Sequence, residues 1–174
     1  MTNLQHNVRV LQRILPKKCK IMAVVKANAY GHDAVRISSR LNGMGIDHFA
    51  VATIDEGIQL RKSGIEGEIL VLGYTSPLRA SELSHHDLTQ TAVDISHAGA
   101  LNDSGKSIKA HIKVNTGMNR LGENFNHVSG IANLFKFKNL EVTGIFTHLC
   151  VSDSPKMDDI TFTNEQIRNF YKLL

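Results

Sequence analysis

The sequence is poor in the features that announce many protein classes. Two cysteines in 174 residues, Cys19 and Cys150, offer no disulfide framework and fit a reducing compartment. No stretch is long or apolar enough to span a membrane, and the amino terminus lacks the hydrophobic region of a signal peptide. The expected location is therefore cytoplasmic, with a membrane involved only through a separate domain. There is no glycine-rich dinucleotide fingerprint and no Walker loop. The net charge of +4 is modest, and Lys17, Lys18 and Lys20 lack the interleaved aromatics of a nucleic-acid patch, so they read as a solvated loop beside a strand. His85 and His86 are adjacent and followed by Asp87, but adjacent side chains rarely converge on one ion. They read as a loop before a strand, and no metal site is expected.

What is there is an ordinary globular composition, 42% hydrophobic and 21% charged without low-complexity runs, enough for a real core. Apolar runs suggest strands at Ile21 to Val25, Phe49 to Ala52, Ile69 to Leu72, Thr89 to Val93, Ile108 to Val114 and Leu140 to Thr147. Helical patterns fall between them. One runs from Ala34 to Leu41 with Gly43 as a stop, and another from Ile54 to Lys62, stopping at Gly64. A third runs from Phe125 to Phe135 after an Asn124 N-cap. Alternation of strand and helix, with connections long enough for crossovers, predicts an α/β chain with a parallel sheet. About six strands fall short of an eight-stranded βα-barrel, which typically needs roughly 200 to 250 residues.

Both ends add to the shortage. Leu4, Val8, Leu11 and Leu15 mark a helix that Pro16 ends. Thr163 and Gln166 have capping-box spacing, and Ile167, Phe170, Tyr171 and Leu174 recur at helical intervals. The expectation is a fragment whose barrel is incomplete at the carboxyl end.

The segment most suggestive of chemistry is Lys20 to His32, KIMAVVKANAYGH. Ile21 to Val25 form a run without polar alternation, so the strand is expected to be buried on both faces. Lys26 then sits at its carboxyl end, the edge that carries ligand sites in α/β sheets and barrels. Partial desolvation there would lower the ammonium pKa and free an amine to attack a carbonyl, which suggests a Schiff base. The plainer alternative is a lysine that snorkels into solvent.

The continuation Ala27-Asn28-Ala29-Tyr30-Gly31-His32 resembles the cofactor-lysine signature of the alanine racemase family, AVVKANAYGHG, with Asp33 in place of the last glycine. Three further stretches are similar to that family in the same order. Glu68 to Tyr74, EILVLGY, resembles its third barrel strand; Lys113 to Gly122, KVNTGMNRLG, resembles KVDTGMGRLG; Gly144 to Asp153, GIFTHLCVSD, resembles G-x-x-THxxxAD.

The resemblance implies a PLP fold type III, TIM-barrel-like domain over residues 1–174, without the β-rich carboxyl domain that follows in the family. It implies that Lys26 holds pyridoxal 5'-phosphate as an internal aldimine and acts as one of two proton-transfer bases. Tyr30 would hydrogen-bond the cofactor phosphate, and Leu72 would line the cofactor pocket. Arg120 would contact the cofactor phenolic oxygen and the substrate carboxylate, and His148 would pack against the pyridine ring. Lys113 matches a lysine that is carbamylated in some members and then positions the arginine. Asn115 and Asn119 stand where the family usually has aspartate and glycine, which changes the polar surroundings of Lys113 and Arg120. Without the resemblance, Tyr30 reads as a turn residue, Arg120 as a surface arginine and His148 as a satisfied core histidine.

The implied activity is interconversion of L- and D-alanine, supplying D-amino acids for peptidoglycan, in a homodimer whose partner subunit contributes a catalytic tyrosine. The fragment alone is not expected to racemise efficiently. Serine is the alternative substrate, because Leu149 to Ser152 departs from the common wording and resembles Gram-positive members, some of them serine racemases. A non-enzymatic pyridoxal-phosphate-binding barrel that handles the free cofactor also stays open, as does a fold fragment with no occupied site. Asp33 beside a phosphate site is expected to point away from the cofactor.

Overall fold

A computed structural model describes residues 2–174, which fall into two compact units, one ending at Leu72 and the other spanning Gly73–Leu174.

The first unit opens with α1 (Thr2–Ile14), whose only buried residue is Val8. It ends ahead of Pro16, which cannot continue a helix. Three parallel strands follow, β1 (Met22–Val24), β2 (His48–Val51) and β3 (Glu68–Val71), in register Ala23 to Phe49 to Ile69. A five-residue turn, α2 (Lys26–Tyr30), and the helix α3 (Ala34–Asn42) connect β1 to β2, and α4 (Ile54–Lys62) connects β2 to β3. Helices α3 and α4 occupy the expected spans, with Gly43 next to the first and Gly64 in a positive-φ stop after the second. Phe49, Val51, Ile69 and Val71 are fully buried with Leu41 and Leu60, and form the core of this unit.

Strand β1 departs from expectation. Val24 is 45% exposed, and Met22 and Ala23 are only half-buried. Among the described residues β1 pairs within this unit with β2 alone, at the edge of the three strands. An apolar run records a preference for cover, and within this unit β1 has a neighbouring strand on one side only.

In the second unit, β5 (Ile108–Asn115) is central. It pairs in parallel with β4 (Thr89–Ala92), with the two-residue β6 (Glu123–Asn124) and with β7 (Leu140–Phe146). Helices α5 (Ala80–His85), α6 (Ile95–Asp103), α7 (Val128–Leu134) and α8 (Met157–Tyr171) complete it. Ile108, Ile112, Val114, Leu83, Leu101 and Leu134 are buried. The register slips between Ala110 and His111, because Thr143 is an extra residue on β7. Next to that bulge Gly144 gives room to the His111 ring, since a Cβ there would lie 2.6 Å from it and the ring would have to shift.

Three expectations are corrected here. Asn124 does not cap a helix that starts at Phe125; it pairs with Asn115 in β6, and the helix begins after His127. Thr163 does not cap the last helix, which starts at Met157 with Asp158 and Asp159 in its first turn, where carboxylates suit the helix dipole. His85 closes a helix, and His86, Asp87 and Leu88 connect it to β4. No described helix is long and apolar enough to cross a membrane.

Candidate functional site

Lys26, Tyr30 and Leu72 lie in the first unit; Lys113, Arg120 and His148 lie in the second.

In the first unit the chain leaves β1 through Val25, which is buried and donates its N–H to the Ala50 carbonyl at 2.8 Å. Lys26 follows, half-exposed at the carboxyl end of the strand as its sequence context predicts. The chain then does something uncommon. Ala27, Asn28, Ala29 and Tyr30 have φ of 51–54°, so α2 is a single turn of left-handed helix. For L-residues other than glycine this costs roughly 1–2 kcal/mol per residue.

Local bonds hold the turn. Ala29 N–H donates to the Val25 carbonyl at 2.8 Å, Gly31 N–H to the Ala27 carbonyl at 3.2 Å, and Ala34 N–H to the Asn28 side-chain oxygen at 2.9 Å. Glu56, which also completes a capping box with Thr53 at the start of α4, takes part as well. Its Oε1 accepts the Ala27 N–H at 2.8 Å, while its Oε2 accepts the Ala52 N–H at 2.6 Å. The turn places Lys26 at its start and Tyr30, 64% exposed, at its end. Asp33 is exposed and caps α3, its carboxylate accepting the Arg36 N–H at 3.1 Å. That local role accounts for the residue. Leu72 is half-buried just beyond β3 and donates its N–H to Val51 O at 2.8 Å.

In the second unit Lys113 is buried on β5. Its Nζ donates to the Val114 carbonyl at 2.9 Å and stands 5.5 Å from the centre of the Phe146 ring. Burial, reinforced by the positive charge of Arg120, pushes its pKa down to about 8. Arg120 itself is exposed on the loop after β5.

Asn115 organises that loop. Its side-chain oxygen accepts N–H from Gly117 at 3.1 Å and from Asn119 at 3.0 Å, and its amide donates to the Asn119 side-chain oxygen at 2.9 Å. Asn119 has φ 57°, a conformation that glycine and asparagine tolerate best, so asparagine can stand where the family usually has glycine. An amide at position 115 can donate to Asn119; a carboxylate could not. Gly122 closes the loop where a Cβ would meet Asn115 N at 2.8 Å and Lys113 O at 2.9 Å.

His148 follows β7 and is exposed, so it is not a core histidine. Its backbone is held by Gln166 of α8, which is fully buried. Gln166 Nε2 donates to the His148 carbonyl at 3.0 Å and to Thr116 Oγ1 at 3.3 Å, while its Oε1 accepts the Cys150 N–H at 3.3 Å. Thr116 and Thr147 share a hydroxyl hydrogen bond at 2.8 Å. Gln166 therefore ties the His148 segment to the start of the Arg120 loop. Its apparent place in a capping box concealed that role in the sequence. Among the described residues no group of three or more His, Cys, Asp or Glu could hold a metal ion.

In the first unit, a half-exposed lysine and an exposed phenol at the two ends of one turn suit an aldehyde that carries a phosphate. In the second, an exposed guanidinium, an exposed imidazole and a lysine with a weakened hold on its proton suit an anionic or aromatic ligand.

The family described as "Alanine racemase, N-terminal domain" matches residues 1–174. An amino-acid racemase of Enterococcus faecalis is 51% identical over 174 residues, covering 100% of this chain and 24% of that protein. A serine/alanine racemase of Enterococcus gallinarum is 44% identical, covering 99% of the chain and 25% of the relative. An alanine racemase of Carboxydothermus hydrogenoformans is 37% identical, covering 98% and 46%. The chain thus spans from 24% to 46% of these relatives' length. Among solved structures, alanine racemase of Clostridium difficile in complex with cycloserine has a TM-score of 0.91 at 30% identity, covering 99% of this chain and 49% of that one. The fold class is the expected one, parallel α/β in the manner of an incomplete βα-barrel.

Proposed function

Because this chain belongs to the alanine racemase family, matching its N-terminal domain over residues 1–174, we propose that it is the cofactor-binding barrel portion of an amino-acid racemase that uses pyridoxal phosphate. The observation that carries this reading is Lys26, a half-exposed amine at the carboxyl end of β1 leading directly into a strained left-handed turn. Pyridoxal phosphate, when bound, supplies an electron sink that makes the α-proton of an amino acid acidic.

The residues of this chain divide the remaining work. Lys26 would hold the cofactor through Nζ, and the same amine would take or return the α-proton on one face of the substrate. Tyr30 would donate its phenolic hydrogen to the cofactor phosphate, and Leu72 and His148 would offer the ring an apolar side chain and an imidazole. Arg120 offers a planar fork of donors to the substrate carboxylate.

Lys113 supports Arg120. With a pKa of about 8, about a quarter of its side chains are neutral at pH 7.5. A neutral amine can add to carbon dioxide, forming a C–N bond and releasing one proton. The resulting carbamate would replace a repulsive charge beside Arg120 with an attractive one.

Alanine and serine are the proposed substrates, and the likeness to a serine/alanine racemase is what supports serine. Action in the cytoplasm, as a homodimer that supplies D-alanine to peptidoglycan, completes the reading.

Titration of the protein with pyridoxal phosphate, followed by visible absorbance, tests it. The wild type should give a saturable signal that Lys26→Ala lowers to the level of surface lysines, and equal signals would sink the proposal. Chiral chromatography of alanine and serine incubated with the loaded protein then reads the substrate. Cofactor uptake through Lys26 without racemisation of either amino acid, in a protein that also carries the family's β domain, would favour a non-enzymatic cofactor-handling barrel.

A further inference from the structure

We infer that Glu56 is a positioning residue for Lys26, acting through the peptide bond that follows it; the inference rests on the reading of Lys26 as the cofactor lysine. A helix start needs little from this side chain. In a capping box, Glu56 has only to reach the N–H of Thr53, which it does at 3.4 Å. Its two stronger bonds go elsewhere, Oε2 to Ala52 N–H at 2.6 Å and Oε1 to Ala27 N–H at 2.8 Å, the latter 29 positions away in the chain. One half-buried carboxylate therefore joins the residue after β2 to the residue after Lys26.

The Ala27 N–H lies in the same rigid plane as the Lys26 carbonyl, so the bond to Glu56 holds the peptide plane on the carboxyl side of Lys26. Val25, buried and bonded to Ala50 O and Ala29 N–H, holds the plane on the amino side. With both planes held, the Lys26 side chain leaves the backbone along one line. Ala27 is also where the chain enters the left-handed region, at φ 51°. Rotation of the Lys26–Ala27 peptide plane is the shortest route out of that conformation, and the bond to Glu56 Oε1 opposes it. A carboxylate oxygen accepting a backbone N–H is about twice as strong as a neutral acceptor, which suits it to hold a turn that alanine and asparagine do not favour.

The geometry separates positioning from capping. Glu56→Asp keeps a negative charge in the first turn of α4 but is one methylene too short to reach Ala27. Glu56→Ala removes both roles. In the wild type, hydrogen–deuterium exchange should find the Ala27 amide protected, and in both variants it should exchange at least tenfold faster. Reductive labelling with pyridoxal phosphate and borohydride should fall at least fivefold at Lys26 in both variants, while labelling of Lys20 and Lys62 stays within twofold. Trace acetylation with acetic anhydride, which needs no cofactor, should show changed reactivity at Lys26 alone. A folded Glu56→Asp protein with Lys26 labelling within twofold of wild type, or with Ala27 exchange unchanged, overturns the inference. Wild-type protein that labels no more at Lys26 than at Lys20 overturns the reading of Lys26 and the positioning role with it. The two failures are thereby told apart.

Discussion

Lys113 carries its amine into a site short of water, and Arg120 adds a second positive charge; both favour the neutral form. The sign of the consequence is definite. Between about pH 8 and 10.5 the unfolded chain holds a proton that the folded chain has released, so unfolding takes up a proton and stability rises with pH across that window. The slope is at most about 1.4 kcal/mol per pH unit. Urea unfolding in carbon-dioxide-free buffer should show the rise, and Lys113→Met should flatten it. Equal slopes in the two proteins would contradict the burial of a strained lysine. At Asn119, φ 57° makes Asn119→Gly nearly neutral, whereas Asn119→Val should cost about 1–2 kcal/mol in the same assay. Lys26, Tyr30, Arg120 and His148 could be picked out as candidates because each sits in a contiguous motif whose chemistry can be named. Glu56 could not, because its decisive partner is 29 positions away.

At the scale of elements, apolar spacing sufficed for α3 and α4, whose caps Asp33 and Thr53 are also local. It failed for α2, since nothing in the letters K-A-N-A-Y specifies a left-handed turn built from residues other than glycine. It failed also at Gln166, a polar residue inside a helix whose partners, the His148 carbonyl and the Cys150 N–H, belong to a different segment. Gln166→Leu leaves those groups and Thr116 without their amide partner and should destabilise the protein by about 1–3 kcal/mol. It should also quicken the reaction of Cys150 with a thiol reagent; unchanged thiol kinetics would deny Gln166 its hold on that segment.

Helix α6 offers a second test. His97 is buried, with Nε2 bonded to the Thr75 carbonyl at 2.9 Å and Nδ1 facing the Val93 N–H at 3.5 Å. Desolvation lowers its pKa against the raising effect of the Thr75 bond. The unfolded chain then binds a proton that the folded chain refuses, so stability should fall as pH drops below about 6.5. Thermal unfolding at pH 7.5 and 5.5 should show that loss, and His97→Gln should reduce the difference between the two temperatures. An undiminished difference would assign the acid sensitivity to other groups.

At the scale of the whole molecule, the parallel βα pattern was readable because β2, β3, β4 and β5 are short runs separated by helices and fall within a residue or so of their expected limits. The two-residue β6 and the delayed start of α7 were not, because both depend on where the Arg120 loop folds back onto β5. What unites the scales is one claim, that the turn after β1 exists to present Lys26 to pyridoxal phosphate. Treating the protein with the cofactor, reducing with borohydride and mapping the labelled peptides by mass spectrometry tests it most directly. The account predicts that label concentrates on Lys26 well above every other lysine. Label spread evenly over exposed lysines such as Lys17, Lys18 and Lys20, with Lys26 no richer than they are, would contradict it.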